Sequence, residues 1–86
     1  MYMNQGEVRQ IGIEVISQLN QDFIIDAADF SILDNTRQTI ENGIPTIEGH
    51  KIIMLFSGQK AGRYNILFTY HVGPEIMKAK IYIEVR

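Results

Sequence analysis

A glycine turn followed by a strongly alternating segment, residues 61–72, constrains this chain more than any other feature. From residue 64 onward, every second side chain is apolar or aromatic: Tyr64, Ile66, Phe68, Tyr70 and Val72. Successive side chains leave opposite faces of a pleated strand, so this alternation predicts a strand with one buried face. We therefore take Gly62, Tyr64, Ile66 and Phe68 as structural residues, and we expect Tyr64 to be mostly buried.

Length and composition limit the possibilities further. The 86 residues are enough for one domain, so we take residues 1–86 as a single domain. Eight basic and ten acidic side chains give a net charge of −2 without runs of one sign, which argues against partners such as nucleic acid or a membrane surface. The chain has no cysteine, so disulfides and zinc–thiolate sites are excluded.

The beginning of the sequence carries no targeting signal that we recognise. The first residues lack both a basic region and an apolar core, and no apolar run approaches the roughly 20 residues that span a bilayer. We expect no signal peptide and no transmembrane segment, and hence a protein that is cytoplasmic as made.

The first half of the chain predicts several short strands. Residues 8–16 fit both strand and helix periodicity, but Gly12 and the β-branched residues around it favour a strand. A polar connection follows at 17–22, and residues 23–26 predict a short strand with a bend or bulge at Ala27 and Ala28. Asp34 is expected to begin a turn by bonding the backbone two residues on, before a short strand at 38–41.

The second half predicts a sheet core and a closing hairpin. Asn42-Gly43 predicts a turn, and Pro45 limits residues 44–47 to an edge strand. Residues 52–56 are apolar on both faces, which predicts a central strand. Gly73-Pro74 predicts the hairpin turn before the last strand, residues 77–85. Seven or eight short strands without a helix predict an all-β fold, an antiparallel β-sandwich.

No group of residues predicts catalysis or a cofactor. His50 and His71 have no neighbour at metal-ligand spacing, and no serine lies in a nucleophile motif. Four aspartates recur at three- to five-residue intervals, but apolar strand residues separate them, unlike the ligands of a calcium loop: Asp22, Asp26, Asp29 and Asp34. We expect no enzyme activity, no metal and no cofactor.

Several short motifs carry a resemblance to known domains: Gly6-Glu7-Val8-Arg9, Phe23-Ile24-Ile25, Glu41-Asn42-Gly43, Ile47-Glu48-Gly49 and Ala61-Gly62-Arg63-Tyr64. The last resembles the tyrosine corner of immunoglobulin-like domains. Together they resemble the small immunoglobulin-like modules of virion proteins in tailed phages and prophages, notably the N-terminal module of baseplate upper proteins. The resemblance implies an immunoglobulin-like sandwich and a non-enzymatic part of a tail or baseplate that attaches to other subunits.

Two classes of function remain open at this point. The first is a structural or protein-interaction module whose partners are virion proteins or copies of itself. Its candidate edges are residues 8–16 and 77–85, and the candidate interaction residues are Lys78, Lys80 and Tyr82. The second class is a small carbohydrate-binding module of sandwich fold, which needs an exposed row of aromatic rings.

Overall fold

The structure is a computed structural model that describes residues 1–16 and 23–86. In these residues the chain forms strands and no helix. The strands are β1 (Tyr2–Met3), β2 (Val8–Glu14), β3 (Ala27–Leu33), β4 (Thr39–Gly43), β5 (Thr46–Glu48), β6 (Lys51–Ser57), β7 (Gly62–Val72) and β8 (Glu75–Val85). The all-β prediction is confirmed.

The strands form two sheets that pack as a sandwich. The larger sheet has the order β1-β8-β7-β3-β4, and the smaller sheet has the order β2-β6-β5. Apart from β1, the strands follow the immunoglobulin arrangement. In the smaller sheet, β2, β6 and β5 correspond to strands B, E and D. In the larger sheet, β8, β7, β3 and β4 correspond to strands G, F, C and C′. One pair departs from the predicted antiparallel fold, because β1 runs parallel to β8.

Strand β7 supplies the centre of the core, as its alternation predicted. Ile66 and Phe68 are completely buried, and burying such a side chain contributes about 1.5–3 kcal/mol. The buried apolar residues of the described chain come from both sheets and, in the case of Ile25, from the segment before β3: Met3, Ile11, Ile25, Ala28, Ile32, Ile52, Met54, Phe56, Tyr64, Ile66, Phe68, Ile83 and Val85.

The hairpin between β7 and β8 sets the position of the last strand. The turn contains Gly73 at φ 57°, a left-handed conformation that glycine adopts without steric cost. From this turn, β8 pairs with β7 in one unbroken antiparallel register, from Val72 opposite Glu75 to Gly62 opposite Val85. The whole length of β8 is therefore hydrogen-bonded to β7.

Two predictions about residues 23–28 are wrong. Residues 23–26 are not in a strand, because β3 and its pairing with β7 begin at Ala27; Ile24 is exposed and Ile25 is buried. Ala27 and Ala28 pair regularly with β7, so no bulge lies there. The irregularity in β3 lies further on, between Ile32 and Leu33, where its register with β4 shifts. The predicted connection 17–22 lies outside the described residues.

Strand β6 is central in its sheet, but it is not buried on both faces as predicted. Met54 is buried, whereas Leu55 is 70% exposed, because no layer of the described chain covers the outer face of the smaller sheet. The predicted turn at Asn42-Gly43 is also wrong, since both residues belong to β4. Gly43 instead makes room for a neighbouring ring: a Cβ there would lie 2.9 Å from Cζ of Phe30.

Candidate interaction edge

A tyrosine corner anchors the start of β7. The Tyr64 side chain is only 8% exposed, and its hydroxyl donates a hydrogen bond of 2.8 Å to the carbonyl oxygen of Lys60. Its ring lies edge-on to Phe56 of the opposite sheet, with ring centroids 5.6 Å apart. Tyr64 thus joins the loop before β7 to the core, as the Gly-x-Tyr motif led us to expect.

The predicted interaction residues Lys78, Lys80 and Tyr82 share the outer face of β8. All three are exposed. They stand opposite residues 69, 67 and 65 of β7, none of which carries a charge. The structure therefore brings these three side chains into one row beside a neutral strand, while their role in binding stays a prediction.

The free side of β8 is an open sheet edge. Strand β1 pairs with β8 only at Glu84 and Val85, so residues 75–83 have no strand of the described chain on that side. Glu84 donates its backbone N–H to Met1, at 2.9 Å, and the N-terminal ammonium donates to the carbonyl of Tyr82, at 3.2 Å. Strand backbone groups alternate in direction, so the N–H and C=O groups of residues 76, 78 and 80 point outward along this edge.

Charges are unevenly paired along β8. The carboxylate of Glu84 forms two ion pairs, with Nε of Arg63 at 3.4 Å and with Nε of Arg86 at 3.5 Å. Among the described residues, no carboxylate lies within 4.0 Å of the ammonium groups of Lys78 and Lys80. The open part of the edge therefore carries two unpaired lysines and the single carboxylate of Glu75, an excess of one positive charge, whereas the carboxylate of Glu84 at the covered end is already paired with arginine.

The smaller sheet offers a second exposed surface. Strand β2, the other predicted edge, lies at the border of this sheet and ends at Glu14, two residues earlier than expected. On the outer face a shallow depression of about 260 Å³ is lined by Gln10, Thr46, Glu48, Ile53, Met54 and Leu55. Small-molecule sites usually occupy about 300–1,000 Å³ and enclose most of their ligand, so this depression is a poor ligand site.

The two histidines have different surroundings. The ring of His50 stacks on Phe23 with centroids 4.0 Å apart, and its Nε2 lies 3.1 Å from the carbonyl oxygen of Phe23. Sequence reasoning missed this contact because the two residues are far apart in the chain. His71 lies on the outer face of β7 opposite Ile76. In the described part of the chain, no three His, Asp or Glu side chains converge as a metal site would require.

Two of the four aspartates, Asp26 and Asp34, form hydrogen bonds with turns; Asp29 is exposed in β3, and Asp22 lies outside the described residues. The Asp26 carboxylate accepts a hydrogen bond of 2.9 Å from the backbone N–H of Gly73. The Asp34 carboxylate accepts from the Thr36 hydroxyl at 2.6 Å and from the backbone N–H groups of Thr36 and Gln38 at 2.9 and 3.1 Å. These bonds stabilise the charged form, with the Thr36 hydroxyl contributing most, so the pKa of Asp34 lies below its usual value.

No protein-family model and no curated protein matches this chain. Within the described residues there is also no helix with the length and apolar character that crossing a membrane requires. The likeness to phage immunoglobulin-like modules therefore rests on the short motifs of the sequence.

Proposed function

We propose that this protein is a non-enzymatic interaction module that binds other protein subunits through the surface of its sandwich. The observation that carries the proposal is the open edge of β8 at residues 75–81, where the outward backbone groups of residues 76, 78 and 80 have no strand partner among the described residues. Native proteins shorten, twist or cover such an edge, or place lysines on it, because it can pair with another chain. Lys78 and Lys80 are charges of this kind, and they discourage promiscuous pairing while leaving a partner of opposite charge able to bind. A long edge in regular register beside exposed side chains supports a role in binding.

The exposed apolar side chains support the same function. Val8 and Leu55 are both exposed and are diagonal neighbours on the outer face of the smaller sheet, so they present adjoining apolar surface. Apolar surface of this kind is available for burial against a partner, whereas single exposed residues elsewhere need no explanation. Following the resemblance, we propose a tail or baseplate subunit of a phage or prophage as the setting in which the module assembles.

The carbohydrate alternative has weaker support. Tyr2 and Tyr82 are the exposed tyrosines, but the guanidinium of Arg86 covers one face of the Tyr2 ring at 4.0 Å from its centroid. This contact leaves Tyr82 as the uncovered ring, and a single ring does not form the row of aromatic faces that a glycan platform needs.

Site-specific photocrosslinking in cells that carry the gene tests the proposed function. A benzoylphenylalanine in place of Lys80 is expected to give a discrete protein adduct, and the same substitution at Asn35, in the exposed turn before β4, serves as the control. A glycan array with the purified protein is run in parallel. The proposal would be overturned by two results together. The first is that the protein binds a glycan and the Tyr82→Ala variant does not. The second is that neither the probe at position 80 nor a second probe at Leu55 gives a protein adduct.

A further inference from the structure

We propose that the open edge of β8 binds an extended acidic segment of a partner protein, which adds to the larger sheet as a strand. This inference rests on the proposed function and names the chemistry of the partner. In this mode of recognition, backbone hydrogen bonds supply affinity and alternate side chains supply specificity.

Strand β1 shows that this edge accepts a neighbouring strand. Its residues Tyr2 and Met3 lie in parallel register with Glu84 and Val85, and further backbone bonds at Met1 and Arg86 extend the contact. The N-terminal ammonium already bonds the carbonyl of Tyr82. An incoming strand that occupies residues 75–81 would therefore continue the line of β1, with the outward backbone groups of residues 76, 78 and 80 as its partners.

The side chains of β8 define the sequence that such a strand would carry. Lys78 and Lys80 are exposed on the outer face, and no described carboxylate pairs with either. Residues 77, 79 and 81 are apolar and only partly buried on the inner face. Oppositely charged cross-strand pairs stabilise a sheet, so the best partner alternates acidic side chains outward with apolar side chains inward.

The same lysines disfavour a second copy of this chain as the partner. In a two-fold antiparallel pairing of β8 centred on residue 80, Lys80 faces its own copy. In a pairing centred on residue 79, Lys78 faces Lys80 of the other copy. Like charges placed directly opposite destabilise a strand pair, so these two registers are disfavoured, and an acidic strand is better suited to β8 than a second copy in either of them.

Peptide binding tests the proposal with a defined probe. The probe is an end-blocked octapeptide that alternates glutamate with valine, and the matched control replaces every glutamate with lysine. We expect the glutamate peptide to bind and the lysine peptide not to bind. In the NMR spectrum, the amide signals of Ile76, Lys78 and Lys80 should shift, while those of β2 should not. N-methylation of alternate peptide residues removes the backbone N–H groups that would bond β8, so it should abolish binding.

Charge variants separate the edge from general attraction. Lys78→Gln/Lys80→Gln should raise the Kd for the glutamate peptide about tenfold, because the variant loses the free energy of two surface ion pairs. Lys51→Gln/Lys60→Gln changes net charge equally on other surfaces and should leave the Kd within about twofold. Lys78→Glu/Lys80→Glu should reverse the preference toward the lysine peptide. All variants are exposed substitutions, and their folding is checked by circular dichroism.

Three results would overturn the inference: equal binding of both peptides, full affinity in the Lys78→Gln/Lys80→Gln variant, or self-association of the free protein through β8. If one of these three results is obtained and photocrosslinking at position 80 or at Leu55 still gives a protein adduct, the proposal of an acidic partner strand is refuted. The proposed function as a protein-interaction module then still stands. Absence of both the adduct and peptide binding would refute both.

Discussion

Replacement of Tyr64 separates the contribution of its ring from that of its hydroxyl. Tyr64→Phe keeps the edge-on contact with Phe56 and removes only the 2.8 Å hydrogen bond to Lys60. Because the Lys60 carbonyl belongs to an exposed loop residue, water can replace the lost donor, and the expected cost is about 1 kcal/mol. Tyr64→Ala also empties the buried site of the ring, and the expected cost is about 3–5 kcal/mol.

These costs are large for a domain of this size. A stability of roughly 0.05–0.15 kcal/mol per residue gives the 86 residues about 4–13 kcal/mol in total. Urea denaturation followed by circular dichroism measures both variants, and the slope with urea should be unchanged. Tyr64→Phe should lower Tm by about 4–8 °C.

Tyr82→Phe is the matched control, since it removes a tyrosine hydroxyl from an exposed position on β8 and should change stability by less than about 0.5 kcal/mol. The tyrosine-corner account fails if Tyr64→Phe leaves the urea midpoint unchanged, or if it is as damaging as Tyr64→Ala.

Three further predictions concern other parts of the sandwich. NMR titration should give Asp34 a pKa below 3.8, and Thr36→Val should raise it. Because the pKa of Asp34 is lower in the folded than in the unfolded state, its charged carboxylate stabilises the fold fully above the unfolded pKa. This stabilisation is lost as the pH falls through the folded pKa. An ordinary pKa for Asp34 would refute the turn geometry. Gly12→Ala should cost about 1–3 kcal/mol in urea denaturation, since its Cβ would lie 2.7 Å from a backbone oxygen of β6; an unchanged midpoint would contradict this close approach. Met54→Ala should cost about 2–5 kcal/mol and Leu55→Ala less than about 0.5 kcal/mol; equal losses would show that the outer face is covered in solution.

The parts of the fold that the sequence predicted well are those with a strong two-residue period. Strand β7 and the last strand alternate over long stretches, and the structure pairs them in one unbroken register. The corner at Tyr64 was predictable because the glycine and the ring lie within three residues of each other. Local signals of this kind require no knowledge of distant contacts.

The failures come from features that only tertiary structure decides. Residues 23–26 have the apolar composition of a strand, but β3 pairs with β7 only from Ala27 onward, and the Asp26 carboxylate instead bonds the turn between β7 and β8 at Gly73. Leu55 looks like a core residue, but the outer face of its sheet has no cover. Strand β1 is too short to show any period, and its parallel pairing could not be predicted.

The candidate site was predictable in part. The sequence places Lys78, Lys80 and Tyr82 on one face of the last strand, as the structure also does. It could not show that β1 pairs with β8 only at Glu84 and Val85, so that residues 75–81 have no neighbouring strand on that side among the described residues. Sheet order determines which strand is an edge, and pairing between distant strands sets that order.

Residue-resolved hydrogen exchange along β8 tests the central claim most directly. In the free protein, the backbone amides of Met77, Ala79 and Ile81 should exchange slowly because they bond β7, and those of Lys78 and Lys80 should exchange fast because they face the open edge. Addition of the glutamate–valine peptide should slow exchange at Lys78 and Lys80. Slow exchange at these two amides in the free protein, or no change when the peptide is added, would contradict an open edge that receives a partner strand.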